Sequence, residues 1–248
     1  MFSEARRRER AESGAEWLRC GGAFVVFNGA DSPVTQTFGL GLFGELTVGI
    51  LDEIERFFFE RGAPVVHEVS PLAGVAALDL LCERGYRPVE ISSVMYRPVT
   101  APVTVIRPGI RARVASEEDL ANWAGVMSRG WLNEYPEQAE FIRENGAISA
   151  DWRGNVPFLA ELEGQPGAAG ALYVHEGVAL FGGATTAPEV RRQGLQAALI
   201  EARMRYAFDR GCELLMMVAE AGSQSQRNAE RNGFRIAYTR VKWRKDKP

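Results

Sequence analysis

The sequence predicts an α/β (α+β) protein: a mixed, mostly antiparallel sheet flanked by helices, made as two related domains. Three observations carry that expectation. Two long segments echo each other. Each has an amphipathic stretch of helical period closed by a glycine. Each then has a short apolar run suited to a buried strand.

The first echo, "FFFERGAPVVHEVSPLAGVAALDLLCERGYRPVEISSVMYRP", begins at Phe57, and the second, "YAFDRGCELLMMVAEAGSQSQRNAERNGFRIAYTRVKWRK", at Tyr206. Phe59-Glu60-Arg61-Gly62 matches Phe208-Asp209-Arg210-Gly211, and Glu83-Arg84-Gly85-Tyr86 matches the run from Glu230 to Phe234 after a one-residue shift. Leu46, Ile50, Leu51, Ile54, Phe57 and Phe58 fall on one helical face in copy one, and Leu195, Ala198, Leu199, Ala202 and Tyr206 do so in copy two. Gly62 and Gly211 are placed to end those helices in the left-handed conformation. "PVVHEV" and "LLMMVA" read as the buried strands. A second helix follows each, ended by Gly85 or Gly233, and then a final strand. Upstream, "GAFVVFN", "VTQTFGL" and the run from Val156 to Thr186 read as antiparallel strands, with Glu-Gly-Gln-Pro-Gly as a turn. Copy two adds two helices, "SEEDLANWAGVMSRGW" and "EQAEFIRENG", the first with Ser116 as N-cap and Glu117-Glu118 in its first turn. A proline-bearing connector, "YRPVTAPVTVIRPG", places the boundary near residue 102, giving domains 1–102 and 103–248.

Composition narrows the class. The 248 residues are 46% hydrophobic and 25% charged, as in ordinary globular chains, and the net charge of −3 gives no reason to expect nucleic acid or an acidic membrane as partner. No apolar run reaches membrane-spanning length, and the N-terminus lacks a signal-peptide centre, so a cytoplasmic protein is expected. The three cysteines form no pairing framework, and the two histidines, His67 and His175, stand apart, so neither disulfides nor a metal is expected. A monomer or a homodimer fits the sequence equally.

One stretch occurs only in copy two. "EVRRQGLQAAL" enters its helix through two arginines and a glycine. A helix N-terminus leaves amides unpaired at a positive dipole end, and a phosphate satisfies both. Gly194 lets the backbone come close to an anion, and Arg191 and Arg192 add positive charge. Taken together, Arg191, Arg192, Gln193, Gly194, Leu195 and Gln196 make a pyrophosphate cradle. The matching place in copy one, "LFGELT", has Glu45 and no arginine. A solvated arginine pair before a well-capped helix is the alternative.

The order of strand, loop, helix, buried strand, helix, Gly-Phe and strand resembles the Gcn5-related N-acetyltransferase (GNAT) family over about residues 108–245. The family's Gln/Arg-x-x-Gly-x-Gly/Ala signature maps to Arg191, Gly194 and Gln196, and Gln196 departs from the small residue. Copy one resembles the C-terminal half of the same fold with its loop lost, so the whole looks like a tandem-domain acetyltransferase. The resemblance implies acetyl-CoA as co-substrate, with no metal, and an amine of a small molecule or peptide as acceptor. It implies that backbone around Ala184, Thr185 and Thr186 lines the pantetheine and acetyl end, and that Ser223 contacts the cofactor.

Acetyl transfer needs the thioester held beside the amine, a donor at the thioester oxygen, a base and an acid. The family's thiolate-protonating tyrosine is replaced by Ala229. Tyr238, on the final strand, is the candidate acid, although such an aromatic also suits packing. Glu220 is the candidate base, and Glu161 a weaker one that also reads as a solvent-facing strand residue. Trp131 and Tyr135 are candidates for the acceptor wall, or packing aromatics at helix ends. The missing tyrosine keeps a non-catalytic acyl-CoA-binding or regulatory module open as the alternative. Gly39 to Gly44, "GLGLFG", also satisfies Gly-x-Gly-x-x-Gly with Glu68 downstream, but the half-polar "VTQTF" is a poor first strand for a dinucleotide fold.

Overall fold

The computed structural model describes residues 14–101, 107–132 and 154–247. The elements in chain order are β1 (Glu16–Cys20), β2 (Ala23–Phe27), β3 (Gln36–Phe38), α1 (Val48–Phe59), β4 (Val65–Val69), α2 (Val75–Glu83), β5 (Arg87–Pro98), β6 (Ile110–Val114) and α3 (Leu120–Leu132). They continue as β7 (Asn155–Leu162), β8 (Gln165–His175), β9 (Val178–Thr186), α4 (Leu195–Asp209), β10 (Leu214–Glu220), α5 (Gln224–Arg231) and β11 (Arg235–Lys245). The expected helix "EQAEFIRENG" lies outside the described residues.

Two compact units emerge, and they do not follow chain order. The middle unit is Tyr96–Met217; the split unit joins the segment ending at Met95 with the segment beginning at Val218. The cut therefore differs from a single boundary at residue 102, because β11 pairs antiparallel with β4, from Val241↔Val69 to Lys245↔Val65. Strand order in the split unit is β1-β2-β3-β4-β11-β5, the last up to Met95, and in the middle unit β10-β9-β8-β7-β6.

In the split unit, α1 buries Leu51, Ile54, Phe57 and Phe58 against Val65, Val69, Leu81 and Trp243. Each fully buried side chain of this kind contributes about 1.5–3 kcal/mol. Gly62, at φ 70°, lets the chain turn back as Ala63 N–H donates to Phe58 O; Gly211, at φ 69°, does the same as Cys212 N–H donates to Ala207 O. Both helix ends thus form as the repeat requires.

The split core also holds charge. Glu55, on the buried side of α1, accepts from Arg84, Tyr86 Oη and Lys245, at 2.9–3.1 Å. Burial by itself would raise this carboxyl, but those donors outweigh burial and hold it below the usual carboxylate range. Next to it, His67 is fully buried, with Nδ1 2.7 Å from Thr37 Oγ1, and burial pulls its pKa down to about 3 against the opposing pull of Glu55. A neutral buried histidine must take up a proton on unfolding. Its stabilisation is therefore present above the unfolded pKa of about 6.5 and is lost as pH falls from there toward about 3. Urea unfolding at pH 7, 6 and 5 should show stability falling with pH more steeply in the wild type than in His67→Leu, by up to about 1.4 kcal/mol per pH unit. Equal slopes would show that His67 does not contribute.

In the middle unit, the turn between β7 and β8 is shorter than the five-residue Glu-Gly-Gln-Pro-Gly turn expected: it is Glu163 and Gly164 alone, both at positive φ, and Gln165–Gly167 already belong to β8. Ser116 caps the 3₁₀ turn Glu117–Asp119 that leads into α3, and its N–H and Oγ both donate to Asp119 Oδ2. α3 packs its Trp123, Val126 and Met127 on β7 and β8, where Leu159, Ala169 and Ala171 are buried. Trp123 Nε1 donates to Gly170 O at 3.0 Å. α4 packs on the same unit through Leu195, Leu199, Ile200 and Arg203, all buried.

Candidate acetyl-CoA site

β9 sets the site. It pairs parallel with β10 from Val178↔Leu214 to Phe181↔Met217, and then continues to Thr186 beside β8. The β8–β9 register shifts between Gly170 and Ala171, which face Ala184 and Gly182. Gly183 is thus an extra residue, a bulge that bends β9 and re-aims its backbone. On the α3 side, a Cβ at Gly183 would lie 3.5 Å from Met127 Cε and 3.7 Å from the Trp131 ring. Trp131 therefore stands against the bulge from the last turn of α3. Thr185 is buried and touches α3 at Gly130, where a Cβ would come within 1.9 Å of Thr185 Oγ1.

After β9 the chain makes the 3₁₀ turn Pro188–Val190 and reaches the loop into α4. Val190 and Leu195 bracket that loop. Both pack on Gly167 of β8, where a Cβ would lie 2.7 Å and 2.8 Å from their methyl groups. Between these anchors Arg191, Arg192 and Gln193 are exposed. Arg192 has φ 63° and Gly194 φ 93°. A non-glycine residue in that region costs about 1–3 kcal/mol and persists where the surroundings impose it. Consecutive amides turned this way form an anion-binding concavity.

Gly194 is the N-cap of α4, and no side chain among the described residues caps it. The start of α1 is built differently: Thr47 Oγ1 accepts from Ile50 N–H at 3.3 Å. Copy one closes its helix start with its own side chain, and at the start of α4 no described side chain does so. Arg191 folds back, Nε donating to Thr186 O at 3.2 Å and Nη2 to Gly130 O at 3.4 Å, and so braces the loop as well as charging it. Gln196 reaches across the mouth, its Oε1 accepting from Thr186 Oγ1 at 3.4 Å, which is how the site accommodates a larger residue there. Arg107 runs beside Gly194 and forms a two-point ion pair with Glu201.

The acetyltransferase (GNAT) family matches residues 122–234, a span that includes this loop. The segment 122–234 is a GNAT acetyltransferase domain. The chemistry of that family is acetyl transfer, and the family uses acetyl-CoA. Among solved structures, a GCN5-related N-acetyltransferase from Kribbella flavida is similar over 100% of this chain and 95% of its own, at 18% identity and a TM-score of 0.72. One from Sphaerobacter thermophilus is similar over 90% of this chain and 80% of its own, at 18% identity and a TM-score of 0.61. A tandem GNAT protein from the clavulanic acid biosynthesis pathway is similar over 81% of this chain and 70% of its own, at 14% identity and a TM-score of 0.62. At such identities the likeness is one of fold. No protein of curated function matches the chain.

The remaining candidates fall elsewhere. Ala184, Thr185, Thr186, Trp131 and residues 191–196 all belong to the middle unit, whereas Glu220, Ser223 and Tyr238 belong to the split unit. Ser223 is the N-cap of α5, accepting from Gln226 N–H at 3.2 Å. Glu220 is exposed at the end of β10. Ala229 is buried and its carbonyl accepts from Phe234 N–H. Glu161 corrects an expectation: it does not face solvent but is buried and ion-paired with Arg113 at 2.6 Å. Arg113 also holds Asp119, whose carboxyl is kept well below the usual range by that bond. Tyr135 lies outside the described residues. The Gly39–Gly44 stretch is filled by its own chain: Leu40 is buried, and a Cβ at Gly41 would lie 2.9 Å from Ala73 Cβ. Glu68 there pairs with Arg240. Among the described residues no group of three or more acidic, histidine or cysteine side chains is placed to hold a metal, and no helix is long and apolar enough to cross a membrane. Sequence reasoning missed Arg203, a charge on the buried stripe of α4.

Proposed function

We propose that the protein is an N-acetyltransferase moving the acetyl group of acetyl-CoA to a primary amine of a small molecule or peptide. In sequence, region 103–248 is the copy that carries the acetyl-CoA loop and catalysis, and 1–102 the related copy without that loop. The observation that carries the reading is the uncapped start of α4 at Gly194, entered through exposed arginines, against the Thr47-capped start of α1. Residues 191–196 hold the diphosphate on backbone amides with guanidinium help. The backbone of Ala184, Thr185 and Thr186 lines the pantetheine arm and the acetyl end, and the bulge at Gly183 turns amides toward the thioester oxygen, where negative charge develops. Trp131 and Tyr135 wall the acceptor. From their places in the sequence, Glu220 serves as base, Tyr238 as the acid that protonates the departing thiolate, and Ser223 as a cofactor contact. The chain works in the cytoplasm as a monomer or homodimer.

The buried Ala229, where a tyrosine acid is usual, favours a second reading, an acyl-CoA-binding module without turnover. Thiol release from acetyl-CoA, followed across a panel of primary amines, separates the two. The enzyme gives amine-dependent free CoA, lowered at least tenfold in Glu220→Gln. Binding of acetyl-CoA with no amine-dependent thiol across the panel favours the second reading.

A further inference from the structure

Arg203 is the largest fully buried side chain among the described residues, and no carboxylate among them pairs with it. Its guanidinium lies over the Phe181 ring, 4.5 Å from the centroid. Nε donates to Leu199 O, one turn back in α4, at 3.2 Å. Nη1 donates to Ala171 O at 3.3 Å and to Gly182 O at 3.4 Å. Those two residues face each other in the β8–β9 register at the point where it shifts. One guanidinium thus ties together the two strands at the foot of the Gly183 bulge. Space is kept for it: a Cβ at Gly170 would meet Arg203 Nη1 at 3.3 Å and Leu199 Cδ2 at 3.1 Å.

An ordinary core position would take leucine or methionine here. A buried charge costs several kcal/mol unless its donors are satisfied, and burial alone pulls this group down to about 9. A bulge disrupts the ladder locally, and here Nη1 reaches a carbonyl on each strand while Nε holds the helix.

We infer that Arg203 is a positioning residue: it fixes the Gly182–Ala184 bulge in the shape that receives the acyl group. The inference rests on the acetyl-CoA reading for the ligand, but not for the bulge. Without the guanidinium, the Nη1 link between the carbonyls of Ala171 and Gly182 is lost and the bulge relaxes. The diphosphate end, held by residues 191–196, is left unchanged.

Two measurements on Arg203→Met and Arg203→Lys test this. Amide hydrogen exchange in the free protein reads the bulge directly. Arg203→Met should exchange at least tenfold faster at Gly182–Thr185, with β7 protection unchanged; Arg203→Lys, which keeps the charge but not the fork, should fall between. Titration with CoA and with acetyl-CoA reads the acyl end. The wild type should prefer acetyl-CoA, and Arg203→Met should lose that preference at least fivefold while its Kd for CoA stays within threefold. Unchanged exchange at 182–185 in both variants overturns the inference whether or not CoA binds. A wild type that fails to bind CoA overturns the function proposed above, and the exchange comparison still decides the role of Arg203. If Arg203→Met does not fold, faster exchange confined to 182–185 in Arg203→Lys supports the role, and wild-type protection there overturns it.

Discussion

Arg191→Glu should raise the Kd for acetyl-CoA about 10–100-fold while moving the melting temperature by no more than about 4 °C. A charge-assisted hydrogen bond contributes about 1.5–3 kcal/mol, which is roughly that range of affinity. Reversing the charge also sets a carboxylate against the diphosphate. The side chain is exposed and its bonds to Thr186 O and Gly130 O lie at the surface of the loop, so the fold is little affected. Arg191→Gln should fall between, since it removes charge without reversing it. Calorimetric titration measures both. A variant that binds as the wild type does, with the fold intact by circular dichroism, would place the phosphates elsewhere.

The largest expected effect on stability is in the split unit. Glu55→Ala should cost about 3–5 kcal/mol in urea unfolding, because it leaves Arg84 and Lys245 facing a buried gap without their carboxylate. Asp52, which also pairs with Arg84, provides the contrast. Its side chain is 55% exposed against 10% for Glu55, so Asp52→Ala should cost less than about 1 kcal/mol. The two carboxylates lie one helical turn apart on α1. Equal losses would mean that burial does not govern the cluster.

What the sequence disclosed was local. Gly62 and Gly211, a turn beginning at Glu163, the N-cap Ser116 and the apolar faces of α1 and α4 each depend on residues within a few positions of one another, and each formed where expected. The uncapped entry to α4 was legible for the same reason. Non-local partners were not. Nothing within β11 says that it pairs with β4, because that register is set by residues such as Trp243 and His67, far apart in the chain. Charges misled in both units. Glu161 read as solvent-facing because it is charged, and Glu55 and Arg203, also on buried faces, went unnoticed; only the spacing of Arg203 from Leu199 and Tyr206, which puts it on the apolar stripe, gave a signal. The Gly183 bulge needs both strands to be seen at once, and the two glycines before Ala184 were its only trace.

The account turns on a diphosphate seated where residues 191–196 enter α4, and the most direct test compares CoA with pantetheine, which keeps the thiol arm and lacks the diphosphate. Calorimetry should give CoA a Kd at least 100-fold lower than that of pantetheine. Equal affinities, or no heat with CoA, would contradict it.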